Sequence, residues 1–141
     1  MDKAHILLVE DNEGDIVLTL EAFEESKIKT AISVVKNGQA ALDFLFQREA
    51  FASALKPDII LLDINIPLLN GHEVLKQIKE DPILKKIPVI MLTTSSSQKD
   101  IHLTYENHGN SYITKPIDID EFLETILKIE EFWLQLTKLA T

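Results

Sequence analysis

The sequence predicts an α/β fold, a doubly wound parallel sheet with helices on both faces. Three observations predict it. Five short apolar runs rich in β-branched residues alternate with five segments of helical spacing. The runs are continuously apolar rather than alternating, as strands covered on both faces are. The connections are short, and neither internal repeats nor low-complexity stretches interrupt the pattern.

The first run is His5 to Glu10, and a stripe of Ile16, Leu20 and Phe23 follows it. The second, Ala31 to Lys36, gives way at Asn37-Gly38 to a helix carrying Ala41, Leu42 and Leu45. Pro57 introduces the third and most strongly apolar run, Asp58 to Asp63. Gly71 then opens a helix whose face is Val74, Leu75 and Ile78, and Asp81-Pro82 stops it. The fourth run, Ile87 to Thr93, precedes a weaker stripe of Ile101, Leu103 and Tyr105. The fifth, Asn110 to Thr114, precedes a long segment with Ile119, Phe122, Leu123, Ile126, Leu127, Trp133 and Leu136. Parallel strands joined through helices make right-handed crossovers.

With 141 residues, 45% of them hydrophobic, the chain is expected to be a single domain over 1–141 with one filled core and an extended last helix. No apolar stretch approaches the roughly 20 residues that a spanning helix needs. The start Met1-Asp2-Lys3-Ala4-His5 lacks a signal-peptide pattern, so a soluble, cytoplasmic protein away from membranes is expected. The lack of cysteine excludes disulfides, thiolate metal sites and a cysteine nucleophile. A net charge of −9, from 23 acidic and 14 basic residues, repels nucleic acid.

Ligand crevices of open α/β sheets lie beyond the carboxyl ends of the strands. Glu10, Asp11, Asp63, Thr93 and Lys115 all fall at such ends. Carboxylates gathered at one edge resist joint ionisation unless a cation sits among them. Lys115 is one such cation, and oxygen ligands of this kind suit a hard ion such as Mg²⁺ as a second. Each residue also has a plainer reading. Asp11 is a good helix N-cap, Asp63 precedes a turn with Pro67 and Asn70-Gly71, and the hydroxyls of Thr93 to Ser97 cap a helix or stay solvated. Glu10 has no capping role, Pro116 constrains the backbone beside Lys115, and Tyr112 packs within its strand. His5, His72, His102 and His108 have no partner at metal-ligand spacing and read as incidental.

Four motifs together resemble a response-regulator receiver domain, the phosphorylatable module of two-component signalling. They are Leu8-Val9-Glu10-Asp11-Asn12; Leu61-Leu62-Asp63-Ile64-Asn65-Ile66-Pro67, with Gly71 eight residues after Asp63; Val89-Ile90-Met91-Leu92-Thr93; and Tyr112-Ile113-Thr114-Lys115-Pro116. The resemblance spans essentially the whole chain. More narrowly, Asp11-Asn12-Glu13-Gly14-Asp15, Leu92-Thr93-Thr94-Ser95, Tyr105-Glu106 and Glu131-Phe132-Trp133-Leu134 are similar to the small single-domain regulators that partner bacterial phytochromes.

The resemblance implies a flavodoxin-like (βα)5 receiver fold with strand order 2-1-3-4-5 and no output domain. It implies that Asp63 accepts a phosphoryl group, with Lys115 pairing its oxygens and Thr93 bonding one of them. Asp11, Asp63 and the backbone carbonyl of Asn65 would bind Mg²⁺, and Glu10 would act through water. Thr93 and Tyr112 would be the switch residues, and the Lys115-Pro116 bond would be cis. The partners implied are a sensor histidine kinase of phytochrome type or a histidine phosphotransfer protein, and a downstream protein target; separately, the long last helix with Phe132, Trp133 and Leu136 suggests an apolar interface with a second copy. Glu10 stands where aspartate is more frequent in the family, and Thr94 where a smaller residue is common.

Three other functions fit these residues less well. A haloacid-dehalogenase-type phosphatase would carry an acid two residues after the nucleophile, where this chain has Asn65. A flavin carrier would place phosphate beside Glu10 and Asp11, which repel it. A phosphorylation-independent pseudo-receiver would have no use for intact acidic, threonine and lysine positions.

Overall fold

The computed structural model describes residues 3–26 and 28–140, together with all their side chains but that of Leu136. Met1, Asp2, and the Leu136 side chain assigned to the last apolar stripe lie outside the described residues. Five strands form one parallel sheet: β1 (Ala4–Val9), β2 (Thr30–Val35), β3 (Ile59–Leu62), β4 (Val89–Thr93) and β5 (Ser111–Thr114). Their order is β2-β1-β3-β4-β5, as the resemblance implied. Helices α1 (Glu13–Glu25), α2 (Gly38–Leu45), α3 (Gly71–Glu80), α4 (Gln98–Glu106) and α5 (Ile119–Glu130) fill the connections and the end of the chain. No helix among the described residues is long and apolar enough to cross a membrane.

Successive side chains of a strand point to opposite faces, and here both faces are buried. Leu7, Val9, Ile60, Leu62, Val89 and Met91 pack with Ala41, Leu42, Leu45, Val74, Leu75 and Ile78 of α2 and α3. Ile6, Leu8, Ile59, Leu61, Ile90 and Leu92 pack with Ile16, Phe23, Phe122, Ile126 and Ile129 of α1 and α5. Continuous apolar strands are the direct consequence.

Two helical stripes differ from expectation for one shared reason, and a third, that of α5, differs as well. On α1 the buried residues are Ile16, Thr19, Ala22 and Phe23, while Leu20 is exposed. On α4 the fully buried residue is Thr104, and Tyr105 is exposed. The reason is the same in both. Each threonine hydroxyl donates to the carbonyl four residues back, Thr19 to Asp15 at 2.7 Å and Thr104 to Asp100 at 3.0 Å. A hydroxyl satisfied within its own helix can be buried like a methyl group. On α5 the inward residues are Phe122, Ile126 and Ile129, with Ile119 and Leu127 exposed.

The extended last helix takes an unexpected form. Glu131–Leu136 continues α5 as a π-helical turn, which shifts the phase of the side chains. Trp133 and Leu134 reach the core through it, while Phe132 stays exposed.

Candidate functional site

The strand order reverses between β1 and β3, so a crevice opens at their carboxyl ends. Register aligns what lies there. Val9 pairs with Leu62, which makes Glu10 and Asp63 neighbours on adjacent strands. The Asp63 N–H donates to the Val9 carbonyl at 3.1 Å and the Glu10 N–H to the Val35 carbonyl at 3.0 Å, so both backbones are fixed. Thr93 pairs with Thr114 across β4 and β5, and the Lys115 N–H donates to the Thr93 carbonyl at 2.6 Å.

Two glycines hold the segment after Asp63 in place. The Gly71 N–H donates to Ile64 O at 2.8 Å and the Gly38 N–H to Pro67 O at 3.1 Å. A Cβ on Gly71 would overlap the carbonyl of Asp63, and one on Gly38 the carbonyl of Leu69. The starts of α3 and α2 therefore press directly on the backbone that carries Asp63. Asn70 adds a capping box, its side chain accepting from the Glu73 N–H.

The Lys115 side chain lies within the crevice, 4% exposed. Its Nζ donates to Asp15 Oδ2 at 2.9 Å, to Asp63 Oδ2 at 3.1 Å and to Glu10 Oε1. Burial alone would lower its pKa, but the bonds to Glu10 and Asp15 and the field of Asp63 outweigh burial and raise it. Lys115 stays charged. Glu10 is pushed up to about 7, chiefly by burial and further by the Asp63 charge, against the pull of Lys115. Its second oxygen accepts from the Asp11 N–H at 3.1 Å and the Asn12 N–H at 3.3 Å. Asp63 Oδ1 accepts from the Ile64 N–H at 2.7 Å.

Asp11 is not the helix cap. Asn12 takes that role, accepting from the Asp15 N–H at 3.0 Å, and Asp11 is left exposed at the mouth. Ligand oxygens of Glu10, Asp11 and Asp63 lie within 4.8 Å of one another, a cluster able to coordinate a metal ion. Asn65 and Thr94 are exposed at the rim.

Thr93 is buried, and its hydroxyl accepts from the Ser95 N–H at 3.4 Å. The Tyr112 hydroxyl donates to the Ser95 carbonyl at 2.7 Å. The structure thus joins Thr93 and Tyr112 through Ser95.

The Lys115-Pro116 bond is trans rather than cis, and no cis bond occurs among the described residues. The trans form is intrinsically favoured by about 0.5–1 kcal/mol. Three carboxylates aim Lys115 without help from the isomer. Asp15, one of the three, was not among the expected site residues. Its sequence signal is weak: an acidic residue three positions after an N-cap is ordinary first-turn composition.

Residues 6–127 match the family described as the response regulator receiver domain. The chain is 43% identical over 129 residues to the probable methanogenesis regulatory protein FilR2 of Methanothrix harundinacea, covering 92% of this chain and 83% of that protein. It is 41% identical over 130 residues to response regulator Rcp1 of Synechocystis sp., covering 92% and 88%. The crystal structure of the phosphorylated cyanobacterial phytochrome response regulator RcpA superposes with a TM-score of 0.97 at 42% identity, covering 99% of this chain and 100% of that one.

Proposed function

The chain belongs to the response-regulator receiver family, phosphoacceptor signalling proteins rather than turnover enzymes, and on that premise we propose that Asp63 is the residue that takes the phosphoryl group. The observation that carries this assignment is the pairing of a strand-end carboxylate with a buried lysine, Asp63 Oδ2 to Lys115 Nζ at 3.1 Å.

The Glu10, Asp11 and Asp63 oxygens fit a hard divalent ion, and Mg²⁺ is the ion proposed. Asp11, Asp63 and the Asn65 carbonyl would be its ligands, with Glu10 acting through water. Bound there, it would supply positive charge beside the transferred oxygens.

One Asp63 oxygen attacks phosphorus in line, and the P–N bond of a phosphohistidine breaks with its electrons returning to the imidazole. Lys115 moves its hydrogen bond from the carboxylate to a phosphoryl oxygen, and the Thr93 side chain swings away from the Ser95 N–H to donate its own proton to another. Tyr112 follows Ser95, so the surface beside α4 reports the event.

Intact-mass measurement after incubation with acetyl phosphate and Mg²⁺ tests the assignment. The parent chain gains one phosphoryl group, and Asp63→Asn gains none. An adduct of equal yield on Asp63→Asn would move the acceptor elsewhere. Separately, millimolar Mg²⁺ raises the melting temperature by preferential binding to the folded state, and Asp11→Asn weakens the rise. A melting temperature indifferent to Mg²⁺ would remove the metal site.

The donor assigned is a phytochrome-type sensor kinase or a histidine phosphotransfer protein, which the likeness to RcpA supports. On this reading the chain works in the cytoplasm as a phosphoacceptor, and it covers most of the length of the relatives it matches. Its output is contact with a downstream protein. Exposed Tyr105 and Phe132, which line one cavity with Trp133, favour a homodimer through the later helices.

A further inference from the structure

His72, at the second position of α3, is not in the crevice and carries none of the roles above. Its side chain is largely buried, and its Nε2 lies 3.0 Å from Asp100 Oδ1 in the first turn of α4. A carboxylate only accepts, so Nε2 carries the proton. The other ring nitrogen, Nδ1, is buried without a partner among the described residues. The ring gives up hydration of one nitrogen to keep the bond made by the other, which an incidental surface histidine does not do.

Asp100 passes the contact on. Its second oxygen accepts from Ser95 Oγ at 2.6 Å. The hydrogen bonds from Ser95 and then His72 hold the Asp100 carboxyl below its ordinary pKa range. Ser95 spends every polar atom on this segment. Its N–H donates to Thr93 Oγ1, its carbonyl accepts from Tyr112, and its Oγ joins Asp100 while accepting from the Ser97 N–H at 3.3 Å. A continuous line therefore runs from α3 through α4 to Thr93 and Tyr112.

We infer that His72 and Asp100 are a positioning pair for phosphoryl binding, holding Ser95 on the Thr93 hydroxyl and so opposing the rearrangement that hands this hydroxyl to a phosphoryl oxygen. This rests on the reading of Thr93 given under the proposed function. A contact present in one of two conformations shifts the balance by its own worth, so removing it favours the other. His72 touches neither acceptor nor metal ligands, and its effect passes through Ser95.

The probe is beryllofluoride with Mg²⁺, a stable mimic of the phosphoryl group, titrated against the full chain. His72→Ala tightens the apparent affinity about fivefold, the size of one modest interaction. His72→Gln, whose amide N–H can still reach Asp100, returns toward the parent value. In a Ser95→Ala background the His72→Ala effect disappears, because the link is already cut. Unchanged or weaker binding by His72→Ala, or an effect that persists without the Ser95 hydroxyl, overturns the inference.

A second readout needs no phosphoryl mimic. The chain has two tyrosines, so 3-fluorotyrosine in a Tyr105→Phe background gives one ¹⁹F signal, from Tyr112. In the unphosphorylated chain that signal shifts in His72→Ala and not in His72→Gln, and an unmoved signal in both overturns the pair. Failure of the parent chain to bind beryllofluoride would instead overturn the proposed function, with the fluorine signal still deciding whether His72 reaches Tyr112.

Discussion

Lys115→Met lowers the stability of the metal-free chain by about 3 kcal/mol at pH 8, because removing one partner of a buried ionic cluster leaves the others uncompensated. The three carboxylates that share Nζ are Glu10, Asp15 and Asp63, and Glu10 is almost wholly buried. The loss is smaller at pH 5.5. Glu10 already has its folded-state pKa raised to about 7, and removing the lysine raises it further. A group raised in this way contributes stability below its ordinary range and loses it as pH rises through the folded value. Protons can therefore replace the lysine in acid, and Mg²⁺ can replace part of it at pH 8. Urea denaturation at the two pH values, with and without Mg²⁺, measures all three. A cost equal at pH 5.5 and pH 8 would mean that Lys115 matters through packing rather than charge. With Asp63 as the proposed acceptor, phosphoryl uptake falls in parallel, because Lys115 Nζ bonds the Asp63 carboxylate.

Glu130→Met stabilises the chain by about 2 kcal/mol at pH 8 and by much less at pH 5, through relief of a buried, unpaired carboxylate. Glu130 ends α5 where the π-helical turn begins, 3% exposed, with Oε2 unpartnered among the described residues. Its surroundings are apolar: Ile6, Phe23, Ile59, Leu61, Trp133 and Leu134. Burial, and secondly the charge of Glu131, push it from 4.5 to about 7. Between those values the folded chain holds a proton that the unfolded chain releases, so this residue makes stability fall as pH rises across that window. Methionine removes the slope. Melting curves of both chains from pH 5 to pH 8 should converge in acid and separate above pH 7, and parallel curves would show that Glu130 is solvated or paired.

The strands and the gathering of Glu10, Asp11, Asp63, Thr93 and Lys115 at strand ends are legible in the sequence, and the strand order is legible through the family resemblance. Each depends on short-range pattern or on motif spacing. The features without a sequence signal depend on contacts between distant segments. Asp15 reads as a first-turn helix residue until Lys115, one hundred positions later, is brought to it. Glu130 sits in Ile129-Glu130-Glu131-Phe132, where paired acids resemble a solvated face, and only the π-helical turn makes the first of them face inward. His72 has no metal-ligand neighbour in the sequence, yet its partner is a carboxylate on another helix. Leu20 falls on the inward stripe by spacing and is exposed because Thr19, self-satisfied, takes the buried place.

Gly38 and Gly71 make the two sides of the crevice mechanically unequal. Helix starts bear on the Asp63 side without intervening side chains, so that side behaves as a fixed jaw, whereas the Thr93 side is tethered by hydrogen bonds that can exchange partners and behaves as a moving one. Chemistry and message are thereby assigned to separate parts. With Asp63 as the proposed acceptor, substitutions from 94 to 100 would retune the Thr93 side while leaving the alignment of Asp63 unchanged, and the same anvil would serve regulators with different outputs.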